Sequence, residues 1–537
     1  LFAGAGWRVF EAKYGSRLEA AMRSPGGDAL RRRIDEMSNE EYQAMIRLHD
    51  GAELRRRLIE APEPADRGDI ARSVEAIPDD GLGRVVANLA GHDLPRLLEV
   101  LAEADAVADA PAVVFAYTIK GYGLPMAGDP LNHSQLLTQK QMDALREQFG
   151  VPADDLWAPF PPDTEEGRWC ADAARRLDQP PTFSAPPVAA AAVPDRLDVA
   201  QPSSTSTQEA LGRILVRLAD VPEVGDRMVT LSPDVATSTH LAGWINKVGV
   251  FATTQAAEYD AGGPSMVKWK PGPAGRHIEL GISEMNLFSA LGQFGLSYEH
   301  SGQHLLPIGT VYDPFVCRGL DALIYGLYNG SKMIFAGTPA GVSLSPEGGA
   351  HQSAVTISLG AELPDLLFYE PAFAKEMEWT FLEALRQVCD REAGQSTYFR
   401  LSTKPIDQSL MTEALERLGE AEARRQTLFG GYRIIDRRAA APDLPATDVV
   451  QIAAGGIMIP EAIAAARRLH DEGIAANVIN VTSAERLYAG LRMARQHHLA
   501  DARRSLDLGH LATLLPSDER KAPIVTVQDG SSHSLAF

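Results

Sequence analysis

Apolar residues recur along this chain in two rhythms, and the switches between them mark out its elements. From Glu284 to Leu291 the apolar positions Met285, Leu287, Phe288, Ala290 and Leu291 keep helical spacing, which predicts a buried helix with Glu284 in its first turn. Thr207 to Leu218 and Pro460 to His470 read as further helices, the second with its proline early. Ser38 to His49 reads as a helix opened by a capping box of Ser38 and Glu41. Asp93 is a natural N-cap for a helix whose face is Leu94, Leu97, Leu98 and Leu101. Short apolar runs predict strands at Trp7 to Phe10, Met228 to Leu231, Lys332 to Ala336, Tyr398 to Leu401, Val449 to Ala453, Ala476 to Asn480 and Ile524 to Val527. Pro111 to Thr118 is apolar throughout, as expected of a strand covered on both faces.

Strands alternating with helices argue α/β architecture, with successive doubly wound parallel-sheet domains. The expected division is a first domain over 1–150 and a Pro- and Ala-rich linker over 151–205, too poor in large apolar residues to bury a core. A second domain covers 206–402 and a connector 403–447, and 448–537, opening with a compact βαβ unit, reads as the start of a further, C-terminal domain.

Composition narrows the function classes. The chain has 537 residues, 45% apolar and 23% charged, in the range of ordinary globular proteins. A formal net charge of −20 argues against a general nucleic-acid partner. No run of 18 apolar residues offers a membrane span. Cys170, Cys317 and Cys389 lie far apart, without metal-ligand spacing, which suits a reducing cytoplasm. The chain opens on Leu1 without a methionine and closes where an apolar run, Ser534 to Phe537, is beginning, so it reads as a piece of a longer protein.

The candidate chemistry comes in order along the chain. Gly91-His92-Asp93 precedes the Leu94 helix, and Lys120-Gly-Tyr-Gly123 follows an apolar strand and leads to a loop with His133. Gly-rich loops at strand ends are where open α/β sheets place ligand groups. Next come Ser232-Pro-Asp234, the Gly281-x-x-Glu284 step, and Val311-Tyr-Asp-Pro-Phe-Val-Cys-Arg-Gly-Leu-Asp321. Last are Gly337-Thr-Pro-Ala-Gly341 and Pro346-Glu-Gly-Gly-Ala-His-Gln352. Structural alternatives stand beside each: Glu284 as a helix-end charge paired with Arg276 or Lys268, Lys120 as a surface lysine, His92 as capping chemistry, Phe315 as core. No H-E-x-x-H, G-x-S-x-G, P-loop or dinucleotide fingerprint competes.

Taken together, an acid opening a helix, an aromatic-x-x-Phe-x-x-Arg-x-x-Asp helix start and a Gly-rich loop ending in His-Gln resemble the pyrimidine-binding domain of the transketolase-like thiamine diphosphate enzymes. Within them the chain is most similar to the homodimeric type of the decarboxylating first component of the pyruvate dehydrogenase complex. Gly-Ala-Gly-Trp, Gly-His-Asp and Thr-Ile-Lys-Gly-Tyr-Gly with its His loop resemble the end of that family's diphosphate-binding domain. The resemblance implies a transketolase-like thiamine diphosphate-binding fold and a cofactor of thiamine diphosphate with Mg2+. It also implies a homodimer, a small 2-oxo acid substrate such as pyruvate, and a lipoyl-bearing acyltransferase partner.

By the same resemblance Glu284 shares a proton with the aminopyrimidine, a role helped by burial, which raises a carboxyl above its usual value near 4.3. Phe315 stacks on that ring, with Tyr312 and Asp234 in the same wall. His351, Lys120 and His133 face the substrate, and His92 belongs to the site wall. Two departures stand out: Asp313-Pro314 replaces the usual polar pair before Phe315, and Val235 stands where relatives carry a second acid. The family's magnesium motif, Gly-Asp-Gly, is absent from the chain and is expected upstream of Leu1. Two other functions remain: transketolase-type ketol transfer on sugar phosphates, and a catalytically incomplete assembly module.

Overall fold

The computed structural model describes residues 1–178, 185–255, 269, 271–344, 348–501, 503 and 506–537. They form two compact units, Leu1–Leu177 and Asp178–Phe537. Among the described residues no helix is long and apolar enough to cross a membrane.

The second unit is built on an eight-stranded sheet whose strands all pair in parallel. Leu306–Val311 lies at its middle, hydrogen-bonded between Met228–Ser232 and Ile334–Gly337. Every residue of Leu306–Val311, Ile334–Gly337, Leu366–Tyr369 and Ser396–Arg400 is buried, which explains why these segments read as apolar runs without alternation. Helices Thr207–Leu218 and Ala374–Cys389 share one core with the sheet, and Glu284–Gly295 and Leu320–Tyr328 share another. The latter two helices cross at Gly292 and Gly326, where a Cβ on one glycine would sit 3.5 Å from the Cα of the other. The small residues let the backbones approach closely.

The segment read as a linker behaves differently from its composition. Helix Glu165–Leu177 forms inside it, and Val188, Val193 and Leu197 are buried in the sheet's core. A few branched residues spaced through an Ala/Pro stretch suffice to anchor it. Pro180 and Pro181 of that stretch lie outside the described residues.

A four-stranded sheet closes the second unit, with Val449–Ala454 between Ala475–Val481 and Ile524–Val527, both parallel to it. Gly431–Ile435, within the segment read as a connector, adds an antiparallel edge strand. The buried carboxylate of Glu376 ties this sheet to the larger one. It accepts from the backbone N–H groups of Ala372 (2.7 Å) and Phe373 (3.1 Å), from the Tyr432 hydroxyl (2.6 Å) and from Asn480 Nδ2 (2.6 Å). Four donors satisfy a charge that burial alone would make costly.

In the first unit a two-stranded parallel sheet, Arg8–Ala12 with Ala112–Ala116, adjoins a group of short helices around Leu18, Leu30, Leu54, Leu58 and Ile70. Within the Pro111 to Thr118 run Ala112–Ala116 is a strand, but it is half-buried to exposed instead of covered on both faces: it pairs with one strand, Arg8–Ala12, packs against the helix Leu94–Asp105, and meets the Phe2 ring edge-on at Phe115. The leucine face of that helix is likewise open: Leu94, Leu98 and Leu101 are exposed. Asp93 does cap it, accepting from Arg96 N–H. Ser38 caps Asn39–Ile46 by accepting from Glu41 N–H, yet the Glu41 carboxylate turns away to Arg33, so only half of the expected capping box forms. The first strand begins one residue later than Trp7 and runs on to Ala12.

Candidate active site

The carboxyl ends of the parallel strands in the second unit gather most of the expected residues. Ser232 leads to Asp234, Glu279 leads to Glu284, and Val311 leads to Tyr312 and Phe315. This is where open parallel sheets bind ligands.

Glu284 opens the helix Glu284–Gly295, behind Ser283, whose side chain accepts from Asn286 N–H. Its side chain is 8% exposed, and its contact is with Arg318 Nη1 at 3.5 Å. The partner is not Arg276, which pairs with Asp226 and the Gly225 carbonyl; Lys268 lies outside the described residues. A contact at the outer limit of a hydrogen bond leaves a buried carboxylate with acceptor capacity to spare. The Arg318 guanidinium lies 3.8 Å from the centroid of the Phe315 ring, so one arginine joins the acid to the aromatic wall.

Three rings complete that wall. Tyr312 lies 5.2 Å edge-on to His351, and Phe315 lies 5.6 Å from His351 and 6.1 Å from Tyr312. The Tyr312 hydroxyl donates to Ser238 Oγ at 2.9 Å, which fastens the loop that also carries Asp234. Asp234 itself is exposed, in the left-handed region at φ 61°. His351 ends a single turn, Gly349–His351, preceded by Gly348 at φ 76°; Pro346 and Glu347 of the same loop lie outside the described residues.

Asp313-Pro314 gains a structural account. Pro314 starts the 3-10 turn Asp313–Gly319, where its missing N–H costs nothing. Asp313 turns inward and is fully buried, accepting from the hydroxyls of Ser353, Thr356 and Tyr398 and from Arg400 Nε at 3.3 Å. Neither Asp313 nor Arg400 stands out in the sequence as a site residue, although an acid two residues before Phe315 must find partners wherever the backbone buries it.

In the first unit Lys120 and His133 meet. The Lys120 ammonium donates to His133 Nδ1 at 2.7 Å, which places the ring proton on Nε2. Both are exposed, on the wall of a pocket of about 480 Å³ that also presents Tyr14, Asp35, Tyr117 and Asn132. Opposite them, Lys13 and Tyr14 both hydrogen-bond Asp35, a trio the sequence did not single out. His92 acts as a brace: its Nε2 accepts from Ile119 N–H at 2.6 Å and its ring stacks on Tyr122 with centroids 3.8 Å apart. Partial burial pushes its pKa below the usual value, and it does not line the pocket of Lys120 and His133. Among the described residues no group of three or more His, Cys, Asp or Glu side chains is placed to hold a metal ion.

Residues 195–403 match the family model described as the pyruvate dehydrogenase E1 component middle domain. That segment holds Glu284, Tyr312, Phe315 and His351. The chain is similar to the pyruvate dehydrogenase E1 components. It is 24% identical over 520 residues to the E1 component of Pseudomonas aeruginosa, covering 93% of this chain and 56% of that protein. It is 23% identical over 566 residues to that of Mycolicibacterium smegmatis, covering 98% of this chain and 57% of that protein. The chain thus spans little more than half the length of these E1 relatives. Its fold is transketolase-like: transketolase from Campylobacter jejuni superposes with a TM-score of 0.54 at 18% identity, over 83% of this chain and 60% of that one. The transketolase of Leishmania mexicana gives 0.53 at 18% identity, over 82% and 58%.

Proposed function

We propose that this chain supplies the pyrimidine-binding and substrate-facing residues of a thiamine diphosphate-dependent decarboxylating component of a 2-oxo acid dehydrogenase complex. The observation that carries the reading is the buried, under-partnered Glu284 carboxylate at a helix start, facing a wall of Phe315, Tyr312 and His351. That set fits an aminopyrimidine: an acid to accept from a ring nitrogen and an aromatic face to stack, worth about 0.5–1.5 kcal/mol beyond burial. When bound, thiamine diphosphate supplies a carbon nucleophile able to attack a 2-oxo acid and stabilise the charge left by decarboxylation. Glu284 would hold the shared proton at its carboxyl, in a setting closed to water. His351 would donate to the oxygen derived from the substrate's keto group. Lys120, with His133 Nε2–H beside it, offers positive charge and a donor for the substrate carboxylate.

The reading extends to a homodimer in a cytoplasmic setting, with acyl transfer to the lipoyl arm of a partner acyltransferase and Mg2+ at the diphosphate. The transketolase fold keeps a second reading open, ketol transfer on sugar phosphates. Turnover of pyruvate with an artificial electron acceptor, against turnover of a ketose phosphate with an aldose acceptor, separates the two. Pyruvate oxidation lost in Glu284→Gln is the expected result; ketose turnover with no pyruvate oxidation would overturn the proposal.

A further inference from the structure

The loop that carries His351 is gripped at both stems by residues distant in sequence. Asp529, just past the strand Ile524–Val527, accepts at Oδ1 from Val342 N–H (2.9 Å) and Ser343 N–H (2.8 Å), and at Oδ2 from Ser343 Oγ (2.7 Å). Gly341 makes this approach possible: at φ +94°, a Cβ there would fall 1.7 Å from Asp529 Oδ2. The other stem is held by Ser531, whose N–H donates to the Ala354 carbonyl at 2.9 Å. Between the stems, Ser353 N–H donates to the Gly341 carbonyl and Gly341 N–H donates to Ser353 Oγ, each at 3.1 Å.

Beneath the loop, Arg400 joins these parts to the wall of the site. Its Nη2 donates to the carbonyls of Ser353 (3.1 Å) and Asp529 (2.6 Å), its Nη1 to Glu370, and its Nε to Asp313. Arg400 and Asp529 are each 2% exposed and Asp313 is fully buried. Asp313 in turn immediately follows Tyr312 and lies two residues before Phe315. A guanidinium buried among three carboxylates is a costly way to gain stability alone, since well-packed apolar residues often do as well. Its fork does something they cannot: it fixes several oxygens on different segments in one plane.

We propose that Asp529 and Arg400 are positioning residues for His351, through which the small C-terminal sheet takes part in shaping the site on the large one. The inference rests on the reading of His351 as a substrate-facing residue. Hydrogen bonds from two successive backbone N–H groups to one oxygen of Asp529 set the first stem, and the arginine registers the second stem against the turn that bears Phe315.

The test compares the chain with its Asp529→Ala, Asp529→Asn and His351→Ala variants by hydrogen exchange and by pyruvate oxidation with added thiamine diphosphate and Mg2+. Asp529→Ala is expected to speed exchange at 341–343 and 348–354 by at least tenfold, with the helix Ile459–Asp471 unchanged. It should cut kcat at least tenfold while KM for pyruvate stays within threefold. Asp529→Asn, which keeps a carbonyl acceptor for the two N–H groups, should stay within threefold of wild type in both readouts. Unaltered loop exchange in Asp529→Ala, or acceleration spread evenly over the C-terminal sheet, would overturn the inference. So would a loosened loop with full turnover, provided His351→Ala is impaired. If His351→Ala turns over pyruvate normally, it is the assignment of His351 that fails, and the inference falls with it.

Discussion

The strands Leu306–Val311 and Ala112–Ala116 are both apolar, both parallel-paired, and both end at a loop with candidate site residues, yet their surroundings differ sharply. The first has a strand on each side and helices Glu284–Gly295 and Ala374–Cys389 against it, and all six of its residues are buried. The second pairs with one strand and packs against one helix, and Phe115, though the Phe2 ring meets it edge-on, is 41% exposed. An apolar run specifies a strand; what covers it is decided by other segments. The two groups of site residues follow suit. Glu284 is buried at the head of the covered sheet, while Lys120 and His133 stand in the open on the other unit.

The largest effect should come from truncating the covered sheet. Phe335 packs edge-on to Phe288 at 5.0 Å and stacks on Tyr398 at 4.6 Å. Phe335→Ala should cost about 3–5 kcal/mol in denaturant unfolding, against less than about 1 kcal/mol for Phe115→Ala on the open strand. Equal losses would erase the contrast. Next comes Gly319→Ala, whose new Cβ would fall 2.3 Å from the Phe288 ring and 2.6 Å from the Glu284 carbonyl. Overpacking there should cost about 1–3 kcal/mol and weaken cofactor binding, because the helix bearing Glu284 must shift.

A third effect is linked to protons. His304 is 1% exposed and accepts from Val188 N–H at 2.9 Å, and burial pushes its pKa down to about 4. The folded state therefore resists a proton that the unfolded chain takes up near 6.5. Its contribution is complete above that value, declines as pH falls toward 4, and levels off below. Unfolding of the second unit followed across this window should show the decline, and His304→Gln should flatten it. The smallest effect belongs to the open site: Lys120→Met should alter stability by no more than about 0.5 kcal/mol while impairing use of the 2-oxo acid, measured as KM for pyruvate.

Much of this was legible in the chain. The covered strands and the Glu284 helix show themselves because a fully buried strand has no polar face to interrupt it and a buried helix keeps its apolar stripe. The sequence places Phe315 and Tyr312 on a cofactor wall and His351 among the substrate-facing residues; that the three rings lie within 5.2–6.1 Å of one another is visible only in the fold. Arg318 and Arg400 escaped notice as partners, since an arginine's role depends on which acids the fold brings to it, over 34 residues for Glu284 and 87 for Asp313. The open face of Leu94, Leu98 and Leu101 escaped for the same reason: amphipathic spacing says which face seeks cover, not whether cover arrives. Val188, Val193 and Leu197 were lost in a stretch judged by its average composition.

The most direct test of the account is a calorimetric titration of thiamine diphosphate, with and without Mg2+, into the chain and its Glu284→Gln and Phe315→Ala variants. The account predicts measurable binding by the chain that Mg2+ strengthens little, that falls at least tenfold in Glu284→Gln, about 1.4 kcal/mol, and that falls again in Phe315→Ala. Tight, magnesium-dependent binding indifferent to both substitutions would contradict it and place the cofactor elsewhere.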